Sequence, residues 1–246
     1  MMRKTSMQLL LRTLPVFLLL AMVSCNKDDN GGDPETPPVS DTIYGKLITV
    51  SNLAPEVTDD NDPTSTNRPP MYFSLEENKA VPAAYVKTAR WDISFTEIYN
   101  SFLGGNNGGN TANLGSGGPG KGGIYMVEEP FENVLTAPDD TKFHTGKGVY
   151  GTDDSGDFGA GFGWYLYDFG GTIKGDGSYD LQHVVYPIQP RTIIVRTARG
   201  NYAKIKMLSL YKDELDPTKW RRNTPHPYFS FQYVLMKDGN KNFQIK

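Results

Sequence analysis

Apolar and polar positions alternate in short runs along most of the chain. That is the period-two pattern of half-buried strands, and no convincing 3.6-residue periodicity of an amphipathic helix accompanies it. Runs at 43–50 (IYGKLITV), 71–75 (MYFSL), 90–96 (RWDISFT), 123–127 (GIYMV) and 164–167 (WYLY) each predict a strand. The clearest hairpin is 192–198 (TIIVRTA), a turn at Arg199-Gly200-Asn201, and 202–211 (YAKIKMLSLY). In its second arm Ala203, Ile205 and Met207 share one face and Lys204 and Lys206 the other. At 228–236 Phe229, Phe231, Tyr233 and Leu235 fall on one side of a closing strand. The only helical expectations are single turns at 130–134 and 217–221. Residues 104–123 contain 10 glycines in 20 positions, which predicts a long irregular loop. The pattern as a whole predicts one all-β, antiparallel domain over about 43–246, with long Gly-rich loops and no internal repeat.

The first 42 residues follow a different rule. Arg3, Lys4 and Arg12 precede the apolar stretch 14–23 (LPVFLLLAMV), which is about half the roughly 20 residues that a membrane span needs. This is the layout of a secretory signal over 1–24. Its end, Met22-Val23-Ser24-Cys25, resembles the bacterial lipobox, in which the cysteine is lipidated after cleavage. Residues 26–41 (NKDDNGGDPETPPVSD) lack apolar periodicity, so 25–42 reads as a lipid-bearing cysteine followed by a flexible acidic tether.

Composition narrows the function classes. Cys25 is the sole cysteine, which excludes internal disulfides, a Cys-type structural zinc site and an iron–sulfur cluster. Net charge is −3, and without the leader's three bases 22 bases face 28 acids, so general nucleic-acid binding is not expected. Mean hydropathy of −0.47 excludes a polytopic membrane protein. Gly118-Pro-Gly120-Lys-Gly-Gly123 fits G-x-G-x-x-G, but it lacks the preceding strand and following helix that a phosphate loop requires. Asp153, Ser155 and Asp157 offer oxygens at positions 1, 3 and 5 of a calcium loop. Position 12 is Trp164, which rules out an EF loop and leaves loop solvation as the first reading of these acids, with an irregular calcium site as the alternative. No G-x-S-x-G or H-E-x-x-H occurs, so nothing supports an enzyme. Any metal in the folded part must therefore be held by His, Met or oxygen. The candidates are His144 in a loop, His183 just ahead of the hairpin, and His226 between two prolines, which reads as solvated. Among the methionines, Met207 faces the core by alternation, whereas Met126 could face either way.

Several longer stretches resemble one family together. Arg90-Trp-Asp-Ile-Ser-Phe95, Asn100, the Gly-rich loop with Gly120-Lys-Gly-Gly123, Gly163-Trp-Tyr-Leu-Tyr167, the 192–205 hairpin and Tyr228-Phe-Ser-Phe-Gln-Tyr233 occur in the order seen in HmuY-type haem-binding lipoproteins of Bacteroides-type bacteria. Asn26-Lys-Asp-Asp29 resembles the export signal of their surface lipoproteins. The resemblance implies an HmuY-like β domain anchored to the outer membrane through Cys25. In such a domain, two loop-borne His or Met side chains ligate haem iron and present haem to an outer-membrane receptor. Carried over by position, it implies His183 as one ligand and His144 or Met126 as the other; Tyr165, Tyr167, Phe169 and Tyr186 are nearby aromatics that could cover such a porphyrin. A non-haem binding module of the same fold, taking another small molecule, a glycan or a protein, is the alternative.

Overall fold

Short antiparallel strands supply the regular structure of residues 41–56 and 68–245, the part of the chain that the computed structural model describes. No α-helix occurs among the described residues. Cys25, the leader and the tether to residue 40 lie outside them. The strands are β1 (Leu47–Leu53), β2 (Met71–Ser74), β3 (Lys79–Val81), β4 (Ile93–Thr96), β5 (Phe102–Gly105), β6 (Gly123–Val127), β7 (Tyr165–Asp168), β8 (Val184–Pro187), β9 (Thr192–Arg196), β10 (Tyr202–Ser209) and β11 (Phe229–Met236). They form a five-stranded sheet in the order β1-β11-β10-β9-β6, a four-stranded sheet β3-β2-β4-β5, and the ribbon β7-β8. Every strand pair is antiparallel, so the fold is all-β as the alternation predicts.

The alternating aromatics make the core. Phe229, Phe231, Tyr233 and Leu235 of β11 are all fully buried. They meet the four-stranded sheet through Phe73–Phe231 (ring centroids 5.5 Å) and Phe95–Phe229 (4.6 Å). Trp164 joins the ribbon to this core, its indole N–H donating to the Ser101 carbonyl at 2.7 Å. Burial of such rings contributes most of the stability, about 1.5–3 kcal/mol per large apolar side chain.

Three local differences from the sequence pattern have physical causes. The first strand begins at Leu47 rather than residue 43, because a 3-10 turn at Asp41–Ile43 and Gly45 at φ +66° precede it. Gly104 and Gly105, read as the start of the loop, instead end β5, and a Cβ on Gly105 would run into the Gly123 backbone at 2.7 Å. Lys204, on the polar face of β10, is 4% exposed. The five-stranded sheet is covered on that side too, by a cluster including Val134, Phe143 and Phe243. The Lys204 ammonium is satisfied there by the Phe131 and Val134 carbonyls at 2.7 and 2.9 Å.

The Gly-rich loop is tightly braced. Asn106, fully buried, donates from Nδ2 to the Thr88 and Trp91 carbonyls at 2.9 and 2.8 Å. Asn113 Nδ2 donates to the Gly105 and Thr145 carbonyls at 2.7 Å each, and its Oδ1 accepts from the Asn107 and Gly115 amides. Beside it a buried carboxylate pair clamps the β9–β10 turn to the second sheet. Asp92 accepts from the amides of Leu75 (2.7 Å) and Ala198 (3.0 Å). Glu76 accepts from Thr197, Asn201 and Arg199. Burial, reinforced by the Glu76 charge, holds the Asp92 carboxyl well above the usual carboxylate range.

Candidate functional site

The ribbon β7-β8 carries the site. Along β7, Tyr165 and Tyr167 share a face, and Phe169 follows in the same phase just past its end. In β8 the residues opposite Tyr165 and Tyr167 are Pro187 and Val185. His183, one step before β8, falls on that same face, and its amide donates to the Phe169 carbonyl at 3.2 Å. The outcome is a cavity of about 430 Å³ lined by Tyr165, Tyr167, Phe169 and His183, with Tyr99 and Phe158 closing it from other segments. Ile98 and Thr152 complete the wall.

His183 is fixed by its neighbours. Nδ1 lies 2.7 Å from the Tyr167 hydroxyl, and Phe169 meets the imidazole edge-on at 4.7 Å. Burial, followed by the Arg222 charge, pushes the His183 pKa below its ordinary value, which favours the neutral imidazole. Burial likewise raises the phenol pKa of Tyr165 and Tyr167, so both stay protonated. Tyr165 is anchored by Ser101 Oγ at 2.7 Å. Tyr99 is 1% exposed, and its hydroxyl makes no well-formed hydrogen bond among the described residues. Burial and the neighbouring Tyr167 hydroxyl raise its pKa as well.

Backbone strain gathers at this cavity. Tyr99 (φ +56°), Phe158 (+59°) and His183 (+61°) all adopt the left-handed conformation that side chains disfavour, and all three line the wall. Such positions cost about 1–3 kcal/mol each and persist where the surroundings over-determine them. Between Thr152 and His183 the surroundings include carboxylates used as backbone acceptors. Asp168, fully buried, accepts from the amides of Thr172, Ile173 and Lys174 and shapes the loop between β7 and β8. Asp157 accepts from the Phe169 amide at 2.9 Å. Asp153 accepts from Ser155 and Gly163 and from Arg191 at 3.2 Å. Burial opposes its charge, but those partners hold its pKa below the ordinary value. The acids read from the sequence as loop solvation thus pin the cavity's rim.

The remaining sequence candidates fall elsewhere. Met126 is buried in the core opposite Ile193 on β9. His144 is exposed and pairs through its backbone with Ile124, its ring edge-on to Tyr150 at 5.8 Å. Neither lines the cavity of His183. Tyr186 opposes Leu166 in the ribbon, so it lies on the other face and lines a second cleft with Trp220. His226, expected in solvent, is buried, with Nδ1 2.6 Å from the Thr224 carbonyl. It belongs to a run of rings joining the two sites: Tyr167–Tyr99 (6.1 Å), Tyr99–His226 (5.2 Å), His226–Tyr211 (5.5 Å), Tyr211–Trp220 (5.2 Å) and Trp220–Tyr186 (5.7 Å). Tyr99, Phe158, Ile98 and Thr152 escaped the sequence reading because they stand on irregular segments with no periodicity.

No known family and no curated protein matches the chain. Several solved structures are similar to it, two of which follow. One is a Bacteroides fragilis NCTC 9343 protein assigned as a lipoprotein, at 12% identity over 77% of this chain and 89% of that one, with a TM-score of 0.38. The other is an apo HmuY analog from Tannerella forsythia, at 14% identity over 78% and 96%, with a TM-score of 0.37. Both likenesses are distant, and the chemistry below rests on this chain's own residues.

Proposed function

We propose that the chain is a surface lipoprotein, held on the outer membrane through Cys25, that binds haem at the His183 cavity and passes it to an outer-membrane receptor. The observation that carries this reading is a neutral imidazole held at Nδ1 by Tyr167 within an aromatic wall. With Nδ1 engaged, Nε2 is the nitrogen left to ligate iron, and orienting the ring in this way is what an outer-shell partner of a ligating histidine does. Bound haem would supply an iron centre with an open coordination position for that imidazole. Tyr167 and Phe169 offer apolar faces to the ring system, and the cavity volume lies within the roughly 300–1,000 Å³ of small-molecule and cofactor sites. Arg222 stacks on Tyr179 at 4.5 Å and its charge reaches His183, so a cation stands ready for an acidic ligand edge.

Among the described residues, the cavity wall holds no second His, Met or Cys. Of the three candidate ligands only His183 lines the cavity, so haem would be held there through His183 and not through a His183–His144 or His183–Met126 pair. Titration of the purified chain with hemin should produce a shifted Soret band that is lost in His183→Ala. An unshifted band, or a shift that His183→Ala leaves intact, overturns the reading. The same single-donor wall favours a second reading, in which the cavity takes an iron-free apolar molecule. Protoporphyrin IX binding that equals hemin binding and is indifferent to His183→Ala would select it.

A further inference from the structure

The cleft on the other face of the ribbon is larger than the His183 cavity, at about 680 Å³, and differs in kind. Its floor is apolar and aromatic: Trp220, Tyr186, Pro187 and Met207, with Leu215 at the rim 57% exposed. Its charged lining is of one sign, from Lys174, Lys206 and Arg221, and no carboxylate lines it among the described residues. Acids outnumber bases along the chain, so a wholly cationic lining runs against the composition. The nearby acids are already engaged. Glu132 reaches Lys206 only at 3.7 Å and is itself largely exposed, and Glu214 and Asp216 pair with Lys219.

The three cations are placed differently. Arg221 Nη1 donates to the Thr218 and Trp220 carbonyls at 2.8 and 2.7 Å, which fixes the guanidinium at the rim beside the indole. Burial and the Asp168 charge raise the Tyr186 phenol's pKa, and the Arg221 charge works against them. Lys206 extends from β10 and Lys174 from the loop that Asp168 shapes, so the positive charge converges from three separate segments. The Trp220 indole N–H is spent on the Glu214 carbonyl at 3.1 Å, so the ring offers the cleft only its apolar surface.

We infer that this cleft is a second ligand site, for a small amphipathic anion with an aromatic or short acyl body and a carboxylate or sulfonate head. The body lies on Trp220 and Leu215, and the head meets Arg221 and Lys206. The inference is independent of haem binding, since the two linings share no residue.

The test uses two probes of nearly identical ring structure, 1-anilinonaphthalene-8-sulfonate and the uncharged N-phenyl-1-naphthylamine, followed by fluorescence on the purified chain. The double variant Lys206→Gln/Arg221→Gln should weaken the sulfonate at least tenfold and the neutral probe less than twofold. Leu215→Gln, at an exposed position that does not threaten folding, should weaken both. Sulfonate binding unchanged by the double variant overturns the inference. So does sulfonate binding that is abolished by Phe158→Ser in the other cavity, or a neutral probe that suffers as much as the charged one.

Discussion

Two irregular regions of this protein contain much glycine and almost no regular structure, yet they are built on opposite plans. In 104–123 the polar side chains turn inward. Asn106 and Asn113 are buried and spend their amides on the backbone, and Gly108, Gly117, Gly120 and Gly122 bond backbone to backbone. In 152–183 carboxylates hold the backbone while the aromatics outside β7 turn outward: Phe158 is 75% exposed and Phe169 nearly half. The first region is a brace. The second is a cavity rim that exposes apolar rings and contains two strained side-chain-bearing residues. Glycine content alone does not distinguish a scaffold from a site; the direction taken by the non-glycine side chains does.

The comparison breaks most visibly at Asn106. Asn106→Ala leaves the Thr88 and Trp91 carbonyls without their donor in a buried setting, and should cost about 2–4 kcal/mol, read as a fall in the urea midpoint. No change in that midpoint would mean that the loop braces nothing.

On the cavity side, Tyr167→Phe removes the partner of His183 Nδ1 and should weaken hemin by about tenfold, with the Soret position altered, while stability moves by about 1 kcal/mol or less. Because the His183 pKa is lowered, hemin binding should persist as pH falls through the ordinary histidine range and fail only below it, a profile that titration at successive pH values checks.

Asp92 sharpens the brace. Its pKa in the folded chain is raised, so between the ordinary carboxylate pKa and that raised value the folded state holds a proton that the unfolded state has released. Its stabilising contribution is complete below that window and is lost as pH rises through it. The urea midpoint should therefore decline from acid toward neutral pH, and Asp92→Asn should flatten the decline.

The smallest effect is expected at Phe158. Phe158→Gly relieves a left-handed residue and removes an exposed ring, so stability should rise by up to about 1 kcal/mol while hemin affinity falls severalfold. A loss of stability would show that the rim supports the fold after all.

These two plans were unequally legible in the sequence. Alternation placed β6, the hairpin strands β9 and β10, and β11 within a residue or two, because each packs a full row of apolar side chains against a sheet. It overlooked β3 (KAV), β5 (FLGG) and β8 (VVYP), none of which alternates: β3 is three residues long, β5 ends in two glycines, and β8 is an unbroken apolar run. Tyr165, Tyr167 and Phe169, chosen as aromatics able to cover a porphyrin, do line the cavity, but that choice cannot decide the face of a neighbouring strand. Tyr186 therefore went to the wrong side, since the face follows from the register Leu166↔Tyr186. Tyr99 and Phe158 reach the wall through left-handed turns, and no residue pattern announces those for tyrosine or phenylalanine.

The way glycine packs in 104–123 also bears on how this chain can change length. Surface loops ordinarily absorb insertions, and a twenty-residue stretch half made of glycine looks like the natural place to graft a tag or an epitope. Here a Cβ on Gly108 would overlap the Gly118 carbonyl, and one on Gly115 or Gly120 would overlap Asn106 Oδ1. Each turn is thus held in register by another turn, and an extra residue would shift every later contact by one place. The segment should vary little in length among descendants of this sequence. The permissive graft point lies instead in the exposed turn around Asp176 and Ser178, opposite in every respect to what the glycine count advertises.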